Sequence, residues 1–245
     1  MSQDNAFGVF HNIPFDEYLQ IPALNQSKIK QIISNGYIQR KSYVNSQALQ
    51  FGNAGHCMLL EPEKFENLYL SAPKDLSQRG KKGKNSWREF CELNSGKIVL
   101  RFSDWTRLQK IKKCFQIHPQ VQQLFSNGNS EVSIFWKDSE YGLNCKARLD
   151  WLDSDSRKII DIKFTKNIVK ASSISPIKND FAIQAKWYTR GIYQLTKKTT
   201  DFFFIFIEKF YPHSIQIVKV SHEDFNFGQE QIDQGIKNIN QTKTI

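Results

Sequence analysis

From residue 131 onward the chain alternates apolar and polar positions with the period of β-strands. "EVSIFWKD", "GLNCKARLDWLD" and "KIIDIKFT" read as three strands separated by the turns "SEYG" and "SDSR", which predicts an antiparallel meander. Next, "DFAIQAKWYTRGIYQLT" has helical spacing, the apolar run "FFFIFIEK" reads as a buried strand, "HSIQIVKV" alternates again, and the tail from residue 222 reads as a helix.

Ahead of the meander the period is helical. In "PALNQSKIKQIIS", Asn25 or Ser27 can cap a helix carrying Ile29, Ile32 and Ile33, with Asn35 and Gly36 closing it. "ALQFGNAGHCMLLEPEKF" predicts an apolar helix that carries His56 and whose Gly52 and Gly55, one turn apart, suit close packing. In "SAPKDLSQRGKKGKNSWREF" the cations Arg79, Lys81, Lys82 and Lys84 crowd a glycine-punctuated loop before a short helix. Such a loop is either simply solvated or placed to grip backbone phosphates. "SDWTRLQKIKKCFQIHPQVQQLF" is helical by period, with Trp105, Leu108, Ile111 and Phe115 on one face and an interruption at Pro119. No repeat, low-complexity tract or linker divides the chain, so residues 1–245 are expected to form a single domain of the α/β (α+β) class.

The hairpin "KARLDWLDSDSRKIIDIKFTK", residues 146–166, raises a chemical question. With "SDSR" as the loop centre, opposed residues have numbers summing to 311, so Asp150 faces Asp161. Opposed Cβ atoms lie about 4.5–5.5 Å apart, where like charges destabilise a sheet. A hard divalent cation such as Mg²⁺ would offset that repulsion while keeping water for substrate phosphates. Because residues i and i+2 share a strand face, Asp161 and Lys163 project together while Ile160, Ile162 and Phe164 turn into the core. Two carboxylates and one ammonium suit phosphodiester hydrolysis, in which a metal activates water and a cation orients the nucleophile or steadies developing charge. The competing reading is a surface salt bridge between Asp161 and Lys163 on an exposed strand.

Composition narrows the choice. Lys and Arg total 34 against 24 Asp and Glu, a net charge of +10, which favours a polyanion such as nucleic acid over a neutral partner, although a basic protein need not bind one. Hydrophobic residues at 40% and aromatic residues at 13% argue against disorder. The opening "MSQDNAFGVFHNIPF" does not read as a signal peptide, and "FFFIFI" is far shorter than the roughly 20 residues of a membrane span, so a cytoplasmic protein is expected. Cys57, Cys91, Cys114 and Cys145 form no CxxC pair, which disfavours zinc or iron–sulfur sites and predicts reduced thiols.

These residues resemble the PD-(D/E)xK nuclease superfamily, with "RLD" supplying Asp150 and "DIK" supplying Asp161 and Lys163. More closely, the chain resembles the exonuclease VIII (RecE-type) exodeoxyribonuclease branch through four ordered blocks, "FGNAGHCMLLEPEKF", "EVSIFW", "RLDWLDSDSRKIIDIKFT" and "QAKWY", over roughly residues 20–210. The resemblance implies a restriction-endonuclease-like core with a mixed central β-sheet flanked by helices. It implies His56 as a metal ligand with Asp150 and Asp161, where a buried core histidine is the alternative, and Glu131 as an outer carboxylate. Gln184 and Tyr188, four apart on one helix face, would sit beside the site, orienting Lys163 or touching the DNA backbone, unless they only pack into the core. The family often reads DxKTT; here Phe164 and Thr165 follow Lys163, which leaves every charged group in place. No cysteine follows Cys145, which disfavours the branches with a cysteine-ligated cluster.

The implied activity is a Mg²⁺-dependent exodeoxyribonuclease, with Mn²⁺ as a substitute, degrading one strand of linear double-stranded DNA in the 5′ to 3′ direction for recombination in phages or prophages. Implied partners are DNA ends, a single-strand annealing protein and further copies of the chain in a ring. An endonuclease of repair or defence with the same site, and a catalytically inactive DNA-binding module, remain open alternatives.

Overall fold

The computed structural model describes residues 7–36, 46–168 and 179–242. In chain order its elements are β1 (Gly8–Phe10), α1 (Phe15–Gln20), α2 (Gln26–Asn35), α3 (Gln47–Leu60), α4 (Pro62–Leu68), β2 (Tyr69–Ser71), α5 (Gly80–Leu93), β3 (Ile98–Leu100), α6 (Phe102–Ile117), α7 (Pro119–Leu124), β4 (Gly128–Lys137), β5 (Asn144–Asp153) and β6 (Lys158–Thr165). They continue through α8 (Asn179–Thr196), β7 (Asp201–Glu208), β8 (Ile215–Lys219) and α9 (His222–Thr242). The six-stranded sheet has the order β1-β4-β5-β6-β7-β8, so the expected meander forms its middle. All neighbours are antiparallel except β6 and β7, which run parallel and are joined through α8. The result is the mixed sheet flanked by helices that the resemblance implied.

Two apolar layers sandwich the sheet. On one face Val132, Ile134, Leu149, Phe202 and Phe204 pack against Ile29 of α2, Trp187 of α8 and Ile232 of α9. On the other, Ile160, Ile162, Ile205 and Ile207 pack against Phe51 and Met58 of α3, Phe65 of α4 and Leu108 and Ile111 of α6. The alternation read along β6 therefore holds: Ile160 and Ile162 enter the second layer and Phe164 packs against it.

Local signals set several boundaries. The Asn25 side chain accepts from the Lys28 N–H at 2.9 Å, capping α2, and Gly36 closes it at φ 75°. Pro119 ends α6 and starts α7 at a position where no N–H is required.

Other features depart from the pattern reading. Lys81, Lys82 and Lys84 lie in the opening turns of α5, not in a loop; Gly83 lets that helix pass the chain at Ser77, whose carbonyl oxygen would stand 2.7 Å from a Cβ. The strand containing Glu131 begins at Gly128. Strand β1 and the parallel pair β2–β3 were not foreseen, because three residues cannot establish a period.

One buried cation fixes the chain ahead of α2. Lys146 on β5 is 2% exposed and donates to the carbonyls of Tyr18 at 2.6 Å and Ile21 at 2.7 Å, with Leu19 at 3.3 Å. Its charge thereby holds the end of α1 to the sheet, beside the cleft described next. No helix of the described residues is long and apolar enough to cross a membrane.

Candidate metal centre and active site

Strands β5 and β6 pair at Trp151 with Ile160 and at Leu152 with Ile159, the register predicted from the turn. The ladder ends there. Asp150 and Asp161, next in line, form no ladder pair; instead Asp150 Oδ2 accepts the Ile162 N–H at 2.8 Å, standing in for a strand carbonyl. On the other flank Ser130 pairs with Trp151 and Val132 with Leu149, leaving Glu131 and Asp150 between them outside the ladder. Glu131 has a φ of 52°, a left-handed conformation that non-glycine residues seldom adopt. The alternation of β5 also slips here, since Leu149 and Leu152, three apart, enter the same apolar layer. Acids from three adjacent strands, Glu131, Asp150 and Asp161, thus gather where the sheet opens.

The predicted clash between Asp150 and Asp161 is relieved by separate partners. Helix α3 brings His56 from one face, with Nδ1 3.2 Å from Asp150 Oδ2. Helix α8 brings Gln184 from the other, with Nε2 donating to Asp161 Oδ2, while Asp161 Oδ1 meets the Lys163 ammonium. Asp161 is 2% exposed, so its pair with Lys163 is no surface salt bridge. Glu131 Oε2 accepts from Arg148 Nε at 2.6 Å, and Arg148 also donates to Ser133 Oγ and to the Ile13 carbonyl.

Helix α3 reaches the sheet through a glycine. A Cβ on Gly55 would lie 2.4 Å from the ring of Phe164, so only glycine allows this approach, and the Phe164 and His56 rings then meet edge to face at 5.6 Å. Gly52 differs: a Cβ there would meet nothing within 4 Å, so the close packing expected of both glycines belongs to Gly55 alone.

Burial and neighbouring charge pull these groups apart in acidity. Burial pushes the Asp150 carboxyl up, but His56, Lys163 and the Ile162 N–H outweigh it and hold the group below its usual value. For Asp161, burial joined by the Asp150 charge outweighs Lys163 and His56 and raises it to about 6. Burial and Asp150 likewise raise Glu131 against the pull of Arg148. Burial pushes His56 down, yet Asp150 more than restores its proton affinity, and the net shift is upward.

His56, Glu131 and Asp150 each offer a ligand atom, and these atoms all lie within 4.8 Å of one another. An imidazole nitrogen with carboxylate oxygens of surplus negative charge suits a divalent cation. Asp161 stands outside that trio, its oxygens turned to Lys163 and Gln184, although the charges of Asp150 and His56 reach it. Gln184 is buried and orients Asp161, where the sequence reading had it orienting Lys163 or touching DNA. Tyr188 is buried one turn further on and lines the cleft beside the centre.

The centre opens into a cleft of about 950 Å³ lined by Tyr18, Lys28, His56, Glu131, Arg148 and Asp150, among others. Arg79, Lys81, Lys82 and Lys84 do not line it. Two basic residues escaped the sequence reading. Arg148 shares a strand face with Asp150 and forms part of "RLD", so the i, i+2 rule could have found it. Lys30, on α2, has its ammonium pushed down to about 8 by burial, with Asp180 and then Lys163 and Asp161 the charges that act on it; nothing in the sequence linked α2 to β6.

Comparison with known proteins agrees with this architecture. A structure from Eubacterium rectale described as a "Putative exonuclease" superposes with a TM-score of 0.65 at 13% identity, covering 96% of this chain and 88% of that one, a likeness of fold. A second structure, SSO0001, reaches a TM-score of only 0.31 at 11% identity, over 78% of this chain and 88% of that one, and carries no argument. No curated protein matches the sequence. Residues 28–245 match the family described as "PDDEXK-like domain of unknown function (DUF3799)". With most of its length, including every residue of the acidic centre, inside that match, the chain belongs to the PDDEXK-like DUF3799 family.

Proposed function

We propose that the protein is a metal-dependent DNA phosphodiesterase, and specifically an exodeoxyribonuclease that removes one strand of linear duplex DNA in the 5′ to 3′ direction. The observation that carries the reading is the gathering of His56, Glu131 and Asp150 within 4.8 Å, next to the Asp161 and Lys163 pair. His56, Glu131 and Asp150 would hold the ion, with Asp161 contributing from the adjoining strand. Bound there, a divalent ion supplies Lewis-acid polarisation of the phosphoryl oxygen and a water of lowered pKa.

The side chains do the rest. Lys163 is a quarter exposed, so its ammonium can turn toward the scissile phosphate, orient the attacking water and steady developing charge. Gln184 keeps the Asp161 carboxylate fixed while Lys163 moves, and Arg148 does the same for Glu131. Lys28 in the cleft wall offers a charge for a flanking phosphate. Mg²⁺ as the working ion with Mn²⁺ as a substitute, a role in recombination, a single-strand annealing partner and a ring of copies belong to the same proposal through the exonuclease VIII resemblance.

The test is digestion of a long linear duplex labelled separately at each 5′ and 3′ end, with Mg²⁺ or with EDTA. Loss of 5′ label first, only with Mg²⁺, and a fall of about 10²–10⁴-fold in Lys163→Met supports the reading. Cutting of covalently closed circles would assign an endonuclease instead. DNA binding with no Mg²⁺-dependent product would leave a binding module.

A further inference from the structure

Between β7 and β8 the chain turns through Lys209, Phe210, Tyr211, Pro212 and His213, and its tip displays aromatic surface. Tyr211 is 89% exposed and Phe210 46%. The turn is braced on several sides. The His213 N–H donates to the Phe210 carbonyl at 2.8 Å, the His213 Nδ1 lies 3.2 Å from the Glu208 carbonyl, and the Lys209 N–H donates to the Thr165 carbonyl of β6 at 2.8 Å. From α6, the Arg107 guanidinium stands 4.6 Å from the centre of the Phe210 ring and 5.6 Å from that of Phe51. Lys209 Nζ lies 5.4 Å from the Phe51 ring, and Lys166 and Arg107 both act on its charge. Asp104, paired with Arg107 at 3.1 Å and Arg101 at 3.5 Å, is the acid at the edge of this patch. Cations outnumber it.

A fully displayed tyrosine on a braced turn among cations has the chemistry of a nucleic-acid contact. Every base has a face that stacks on an aromatic ring, and neighbouring phosphates pair with Lys and Arg. Position agrees with this chemistry. The turn is tied to Thr165, two residues beyond Lys163 on β6 and so about 7 Å further along the strand. That is roughly two base steps of a nucleic-acid strand at 3.4 Å each.

We infer that the β7–β8 turn is a base-stacking platform for the single-stranded part of the substrate, with Tyr211 under a base and Lys209, Arg107 and Lys166 on the adjoining phosphates. The location relative to the scissile bond rests on the nuclease reading, whereas strand binding by the turn does not.

The experiment measures fluorescence anisotropy of a fluorescein-labelled single strand of about 20 nucleotides in EDTA, where nothing is cleaved. Tyr211→Ala should weaken binding about 5- to 100-fold while Tyr211→Phe retains it. Lys209→Gln should reduce the slope of log affinity against log salt by about 0.7. Wild-type protein that does not bind the strand, or Tyr211→Ala that binds it as wild type does, overturns the inference. Loss of self-association in Tyr211→Ala with strand binding unchanged also overturns it and assigns the tip to a second copy of the chain. Mg²⁺-dependent cleavage, assayed in parallel, separates the two proposals. Tyr211-dependent binding by a protein that cuts nothing supports the platform and sinks the nuclease, and cleavage with Tyr211-independent binding does the reverse.

Discussion

Gln184 puts a hydrogen-bond donor on Asp161 Oδ2 in a buried setting. Removing it in Gln184→Ala leaves a buried carboxylate oxygen unsatisfied, at a cost of about 1–3 kcal/mol. For a domain of this size that is a fall in Tm of about 2–12 °C, which differential scanning calorimetry would read; an unchanged Tm would show that the contact is not made in solution. The charged residues of the site were legible because strand alternation and turn-centred register are simple counting rules: alternation put Asp161 and Lys163 on one face, and the register held up to Trp151 and Ile160, one step short of Asp150. The counting failed where the backbone departs from the ladder. It could not show that Glu131 turns left-handed and joins His56 and Asp150, nor that Asp161 looks toward Gln184, because a φ of 52° and an interrupted ladder leave no trace in residue spacing.

Elements act by how closely they approach one another. Helix α3 depends on Gly55 for its approach to β6, so Gly55→Ala forces the Phe164 ring or the helix to move by about 1 Å, an overpacking cost on the order of 1–3 kcal/mol. Because His56 rides on the same turn, Mn²⁺ affinity measured by isothermal titration calorimetry should fall about 10- to 100-fold, as when a ligand loses its supporting shell. Gly52→Ala, with open space around it, serves as control and should gain up to about 1 kcal/mol of helix stability with Mn²⁺ affinity unchanged. Long segments such as α6, α8 and the meander were legible because several periods repeat in each. Helix α5 was misread since its two glycines and clustered lysines resemble a loop locally, and a three-residue strand such as β1 gains its identity only from the neighbour it pairs with.

Across the whole molecule, the excess of ten positive charges sets how any polyanion is met. Duplex DNA affinity, measured without divalent ions, should fall linearly with log salt, by about 10³–10⁵-fold between 50 and 200 mM for a footprint of six to ten phosphates. A flat profile in a filter-binding titration would rule out phosphate neutralisation as the source of affinity. Among the described residues the sheet ends on one side with β1, three residues long, and on the other with β8, five residues long. Such brief rims offer few free amides and carbonyls for another chain to zip onto. Strand-by-strand fusion of neighbouring molecules, the route to fibres and to exchanged β-segments, is therefore poorly templated at β1 and β8 themselves, and the flank of β4 that runs past β1 is the longer strand edge left to a partner.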